Sequence, residues 1–183
     1  AARALPEVAG LPAASRVLDV GGGTGSWSLA LAEVDPALTA TVLELPDVAR
    51  VAREHLRATE FSDRVDVHVG DVLADDLPRG HDTFLVANLV HYFTPERNRA
   101  VLHRLRLAAE PGARLLLADF WTDPTHTRPL PAALMAGEFA IHIDGGDVYS
   151  AEEAAAWLGA TGWRPTGHEP LAGPFSLVKA EAV

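Results

Sequence analysis

The chain of 183 residues carries 25 acidic against 15 basic side chains, a net charge of −10, which excludes a basic nucleic-acid-binding surface as its main feature. Its 48% apolar and 22% charged content belongs to a packed globular domain, and at this length one domain is the expectation. With no cysteine there is no disulfide framework, thiolate nucleophile or Cys-ligated zinc, and no run approaches the ~18 apolar residues of a membrane span.

Residues 1–14 lack the charged start and apolar block of a signal peptide, so they read as a lead-in segment to a domain over 15–183, with a cytoplasmic location expected. The first residue is alanine, not methionine, which fits a piece of a longer protein. Beyond it, short apolar runs alternate with longer helical patterns, as in parallel βαβ units. A strand is expected over 15–20, a glycine loop over 21–25 and a helix over 26–34. A second strand over 39–43 leads to a helix over 46–57, whose first turn suits Pro46. Strands follow over 64–69 and 83–89. Pro95 opens a helix to about 108, which Pro111 and Gly112 stop before a fifth strand over 113–119. Pro124, Pro129 and Pro131 predict a loop between 121 and 131, and a helix is expected over 132–143. Ser150 with Glu153 forms a capping box for a helix ending near 162, and a last strand is expected over 175–180. Right-handed crossovers place the loops after the parallel strands on one common edge of the sheet.

The strongest local pattern is VLDVGGGTG, residues 17–25, where a strand gives way to a helix. Glycines there let the backbone turn sharply and approach a ligand closely. Gly21 and Gly23 keep part of a dinucleotide fingerprint, but position 26 is serine where that fingerprint has glycine, and no Gly-Lys-Ser/Thr follows to make a phosphate-binding P-loop. Two acidic residues sharpen the reading. Glu44 closes the second strand, where a carboxylate can accept both ribose hydroxyls. Asp71, after the third strand, can accept from an exocyclic adenine amine, with Val72 beside it for the ring. Each alone also reads as an ordinary strand-end carboxylate; the set at successive strand ends points to a nucleoside-bearing cofactor.

These residues, with TVLELPDV, VGDVLADDLP and LVHYFTPERNRAVLHRL, resemble the class I S-adenosylmethionine-dependent O-methyltransferases of the plant caffeate-type and bacterial polyketide-tailoring family. The resemblance runs from about Val17 to the C-terminus and is confined to that family's catalytic domain. It implies an α/β fold: a Rossmann-like, seven-stranded, mostly parallel sheet flanked by helices, with the last strand antiparallel. It implies S-adenosyl-L-methionine as cofactor, with Gly21 and Gly23 backing the methionine part, Glu44 the ribose, and Asp71 with Val72 the adenine. Asp19 is implied as a carboxylate behind the methionine end, and Asn88 as a neighbour of the cofactor. The family's N-terminal helical and winged-helix domain, which forms a homodimer and closes the acceptor pocket, has no counterpart before Val17.

Methyl transfer from a sulfonium needs alignment and a base for the acceptor's proton, and histidine titrates near working pH. Of the eight histidines, His91 alone follows the apolar fourth strand on the edge shared with the glycine loop; His55, His81, His103, His126 and His168 read as solvated surface. The resemblance implies His91 as general base and Asp119, ending the fifth strand, as the carboxylate that orients it. The following Tyr92-Phe93 departs from the family's Asp-Trp, so a His91 that only caps the next helix stays open, as does a water-facing Asp119. Asp147 matches the family's third carboxylate only after a one-residue slip. Trp121, Leu134, Met135 and Phe139 could wall an apolar acceptor pocket, although Met135 and Phe139, four apart, equally suit a core-facing helix stripe.

The expected function is therefore methyl transfer to a hydroxyl of a small phenolic or polyketide-like natural product, with no nucleic-acid or membrane partner. One rival is C-methylation of an α-keto acid with His91 and His142 on a metal, although the spacing shows no local metal-ligand motif and no metal site is expected. The other is a module that binds the cofactor without turnover.

Overall fold

A computed structural model describes residues 1–183. Seven strands form one sheet in the order β3-β2-β1-β4-β5-β7-β6. The strands are β1 (Arg16–Val20), β2 (Thr39–Glu44), β3 (Val65–Val69), β4 (Thr83–Ala87), β5 (Arg114–Phe120), β6 (Trp163–Ala172) and β7 (Phe175–Ala182). β1 to β5 are mutually parallel, and β7 runs antiparallel to both β5 and β6. The helices are α1 (Leu5–Ala9), α2 (Ser26–Val34), α3 (Pro46–Arg57), α4 (Pro95–Ala108), α5 (Leu130–His142) and α6 (Ala151–Ala160).

Side chains alternate across the central strands, so each feeds two cores. Leu18, Phe84, Val86, Leu115 and Leu117 join the core under α4 and α6, whereas Val17, Leu85, Leu116 and Ala118 join the one under α2 and α3. The first 14 residues contribute to the second core, where Leu5 is fully buried. No helix is long and apolar enough to cross a membrane.

The chain order of elements follows the sequence reading, with two additions, helix α1 in the lead-in segment and strand β6. β6 has no strand-like alternation: Pro165, Gly167 and Pro170 interrupt it, and its pairing with β7 shifts register between Pro165 and Gly167 and between Pro170 and Ala172. It survives as a strand because it lies at the sheet edge, where a missing N–H costs no ladder bond. β4 ends at Ala87, two residues earlier than expected, because Asn88 has φ +54° and turns the chain out of the sheet. α5 starts at Leu130 with Pro131 in its first turn. The capping box of α6 forms as read: Glu153 N–H donates to Ser150 Oγ at 3.1 Å and Ser150 N–H to Glu153 Oε2 at 2.8 Å.

Candidate active site

The parallel strands end on one edge, and the glycine loop leaves β1 between β2 and β4. Gly21 N–H donates to Leu43 O at 2.9 Å, stitching the loop to β2. Its φ is +64°, and a Cβ there would stand 3.0 Å from the Leu89 side chain, so any other residue is disfavoured by backbone and by space. At Gly22 a Cβ would stand 2.6 Å from the carboxyl carbon of Asp19. Asp19 is fully buried: its Oδ2 accepts from Ser28 Oγ at 2.7 Å and its Oδ1 has no partner. Burial raises its pKa from 3.8 to about 6, against the Ser28 hydrogen bonds and reinforced by Glu44.

Glu44 accepts from Gly23 N–H at 2.9 Å through Oε1 and from Leu45 N–H at 2.9 Å through Oε2, so two backbone amides fix its carboxylate. A carboxylate offers about four lone-pair sites, which leaves capacity on each oxygen for a diol. Asp71 Oδ1 accepts from Leu73 N–H at 2.8 Å, and Asp71 N–H donates to Asp75 Oδ2 at 2.8 Å. Gly21, Glu44, Asp71 and Val72 line a single cleft of about 190 Å³, completed by Leu89 and Phe93. Gly23 meets it through its bond to Glu44, and Asp19 lies behind the loop. Asn88 does not line the cleft; it supplies the turn that presents Leu89, with its N–H on Ala118 O at 3.0 Å.

His91 sits in a single 3₁₀ turn, Val90–Tyr92, beyond that turn. Its ring is 6% exposed, and Nδ1 lies 2.7 Å from Oδ1 of Asp119, itself 1% exposed. Asp119 also accepts from Val90 N–H at 3.0 Å and Phe120 N–H at 2.9 Å, so it faces the His91 turn and not water. With Nδ1 turned to the carboxylate, Nε2 has no protein partner. The helix-cap alternative falls away, because Thr94 is the N-cap of α4. Phe139 of α5 stacks on the His91 ring at 4.0 Å between centroids and 6° between planes, and Phe120 stands edge-on at 6.1 Å.

Other expectations are corrected. Asp147 does not turn its carboxylate to His91: Oδ1 accepts its neighbour Val148 N–H at 2.7 Å, and only its backbone N–H reaches His91 O, at 3.1 Å. Trp121 is buried in the core with α4 and α6, and Leu134 is 66% exposed, so of the four wall candidates only Phe139 meets the histidine. His142 Nδ1 donates to the backbone carbonyl of Glu138 at 3.0 Å, on the exposed side of α5, and nowhere do three His, Cys, Asp or Glu side chains converge as metal ligands. His81 is half-buried, held between Thr41 Oγ1 and Pro78 O, and burial lowers its pKa. Sequence reasoning missed Asn98, whose Nδ2 donates to Val90 O at 3.0 Å and Phe93 O at 3.1 Å and so closes the His91 turn. Its only signal was a buried-side position in an otherwise charged helix.

A Rossmann-like sheet with a glycine loop, two strand-end carboxylates and a buried His–Asp pair on one edge defines a class I methyltransferase domain. The chain belongs to the O-methyltransferase domain family, whose model matches residues 1–164. It is 33% identical over 162 residues to the L-tyrosine C(3)-methyltransferase of Streptomyces lavendulae, covering 88% of this chain and 44% of that protein. It is 32% identical to the 3-hydroxy-5-methyl-1-naphthoate 3-O-methyltransferase of Streptomyces sahachiroi, over 86% of this chain and 45% of that one. The crystal structure of an O-methyltransferase family 2 protein from Planctomyces limnophilus, in complex with apigenin, superposes with a TM-score of 0.90 at 25% identity, covering 98% of this chain and 56% of that one. The chain thus spans about half the length of the relatives it matches.

Proposed function

We propose that this chain is the cofactor-binding and proton-abstracting half of an S-adenosylmethionine-dependent methyltransferase that acts on a phenolic hydroxyl of a small natural product. The observation that carries the reading is the buried pair of His91 Nδ1 and Asp119 Oδ1 at 2.7 Å, on the same strand edge as the cleft of Gly21, Glu44 and Asp71. The cleft suits the cofactor: a Cβ at Gly21 would press on Leu89 in its wall, and Glu44 is held by two amides with lone pairs to spare. Glu44 would hold the ribose, and Asp71 with Val72 the adenine; Asp19, with Oδ1 unpartnered, would stand behind the methionine end. When bound, S-adenosylmethionine supplies an electrophilic methyl group on a sulfonium.

His91 Nε2 takes the proton of the acceptor hydroxyl, and Asp119 fixes the ring through Nδ1–H and stabilises the imidazolium that forms. Phe139, stacked on the ring, shields the site from water and offers a flat face to an aromatic acceptor. A phenolate is nucleophilic at oxygen and at the ortho carbon. Resemblance to a tyrosine C(3)-methyltransferase therefore favours, as a second reading, carbon methylation through the same proton abstraction. The position of the transferred methyl group in the product, on oxygen or on the ring carbon, separates the two.

The cofactor reading is tested by calorimetric titration with S-adenosylhomocysteine of the chain and of Glu44→Ala and Asp71→Ala. Micromolar binding that each substitution weakens by about 1 kcal/mol or more, as lost buried hydrogen bonds require, supports it. A folded chain that binds nothing refutes it.

A further inference from the structure

A cavity several times the volume of the glycine-loop cleft lies apart from it. It measures about 880 Å³ and lies between the loop after β5, the start of α6 and the β6–β7 hairpin. Its volume falls within the range of small-molecule sites. Trp121, Pro129, Pro170, Pro174 and Phe175 give it flat apolar walls. Thr122, 4% exposed, also lines it, and the Thr122 hydroxyl is buried without a hydrogen-bond partner. Buried hydroxyls without partners are rare in folded proteins, so this one has unused hydrogen-bonding capacity.

The charges around the cavity are mostly spent. Glu169 pairs with Lys179 at 2.5 Å. Asp123 accepts from Thr127 N–H, Arg128 N–H and Thr125 Oγ1, all at about 3 Å. Glu152 sits in the first turn of α6, where the helix dipole already offsets its charge. His168 is engaged with Ser176 Oγ at 2.7 Å, and burial lowers its pKa. Arg128 keeps its donors free: its guanidinium forms no ion pair and no hydrogen bond, although its charge also acts on the nearby Asp123 carboxylate. A guanidinium is a planar fork matched to a carboxylate.

We propose that this cavity is a second ligand site, for a planar aromatic carboxylate whose ring lies on Phe175 and the prolines, with its carboxylate at Arg128 and a hydrogen bond to Thr122. The site is separate from His91, since Phe120 stands between them, 6.1 Å from the His91 ring and 4.3 Å from that of Phe175. It does not depend on the methyl-transfer reading.

The test uses 1-naphthoate as probe, titrated into the chain saturated with S-adenosylhomocysteine and into the chain alone, followed by calorimetry. One equivalent is expected to bind in both states. Arg128→Gln should weaken binding at least tenfold and Thr122→Val several-fold, while His91→Ala leaves it unchanged. Arg128 is exposed, so its loss does not threaten folding, and a thermal melt checks Thr122→Val. The proposal is overturned by failure of 1-naphthoate to bind, by equal binding to Arg128→Gln, by loss of binding in His91→Ala, or by tighter binding of 1-naphthylmethylamine than of the acid. A chain that binds 1-naphthoate but not S-adenosylhomocysteine would sink the cofactor reading and leave this one standing.

Discussion

At the scale of single residues, the candidate site joins one strained charge to one well-supported one. Asp19 is buried with half of its carboxylate unpartnered and a pKa of about 6, whereas Asp119 is as deeply buried but accepts two backbone amides and the His91 ring. Because the folded pKa of Asp19 lies above its ordinary 3.8, the folded state binds the extra proton between about pH 4 and 6, and stability falls as pH rises through that window. Above it the penalty is constant, on the order of 3 kcal/mol. Asp19→Asn keeps an acceptor for Ser28 and removes the titration. The gap in unfolding free energy between native and variant protein, measured in urea from pH 4 to 7, should therefore swing toward the variant with rising pH; a gap that stays flat disproves the assignment. The His91–Asp119 pair makes a kinetic prediction. His91→Ala should lower kcat for a phenolic acceptor by ~10² to 10⁴ while leaving S-adenosylhomocysteine affinity unchanged, the size of effect a positioned base supplies. Asp119→Asn should lose most of the same factor, since an amide cannot accept from Val90 N–H, Phe120 N–H and His91 together. Equal kcat in either variant would remove His91 from the chemistry.

Elements set the distances between those residues, chiefly the turn from Asn88 to Asn98. Asn88 leaves β4 with positive φ, the 3₁₀ turn carries His91, and Asn98 in α4 ties both ends of the turn by donating to Val90 O and Phe93 O. Asn98→Ala leaves those two carbonyls without that donor and should destabilise the protein by about 1–3 kcal/mol. Asn98→Asp, isosteric but unable to donate, should do no better; urea midpoints of the two variants decide. This turn also marks where legibility in the sequence ended. The strand–loop–helix units and the capping box could be read because period, glycine and capping residues are local signals, and His91 and Asp119 could be placed on a common edge by topology alone. The partners that make the site work are not local. Asn98 acts across one turn of backbone, Phe139 arrives from a helix 48 positions beyond His91, and Asp147 comes near His91 only through its amide. β6 was illegible for a different reason, since an edge strand with two prolines carries no alternation to detect.

At the scale of the whole molecule, the site is supported by a sheet that belongs to two cores at once. Phe84 and Leu85 are adjacent in β4 and both wholly buried, yet Phe84 packs against Trp163 on the α4 and α6 side, ring centroids 5.9 Å apart, while Leu85 lies in the core beneath α2 and α3. The glycine loop, Glu44 and His91 hang from strands that feed both layers, so neither layer can melt while the site keeps its shape. If the sheet makes the two cores one cooperative unit, Phe84→Ala and Leu85→Ala should each lower a single calorimetric transition. Cavities of this kind cost about 3–5 kcal/mol for phenylalanine and 2–5 kcal/mol for leucine. At about 2–4 °C per kcal/mol for a domain of this size, each Tm should fall by roughly 5–15 °C without the endotherm splitting. S-adenosylhomocysteine, binding only the folded form, should raise the Tm of both variants, because the ligand and each layer share the same strand ends. A transition that splits in either variant would show that one layer unfolds alone, and the site would then rest on the layer that remains.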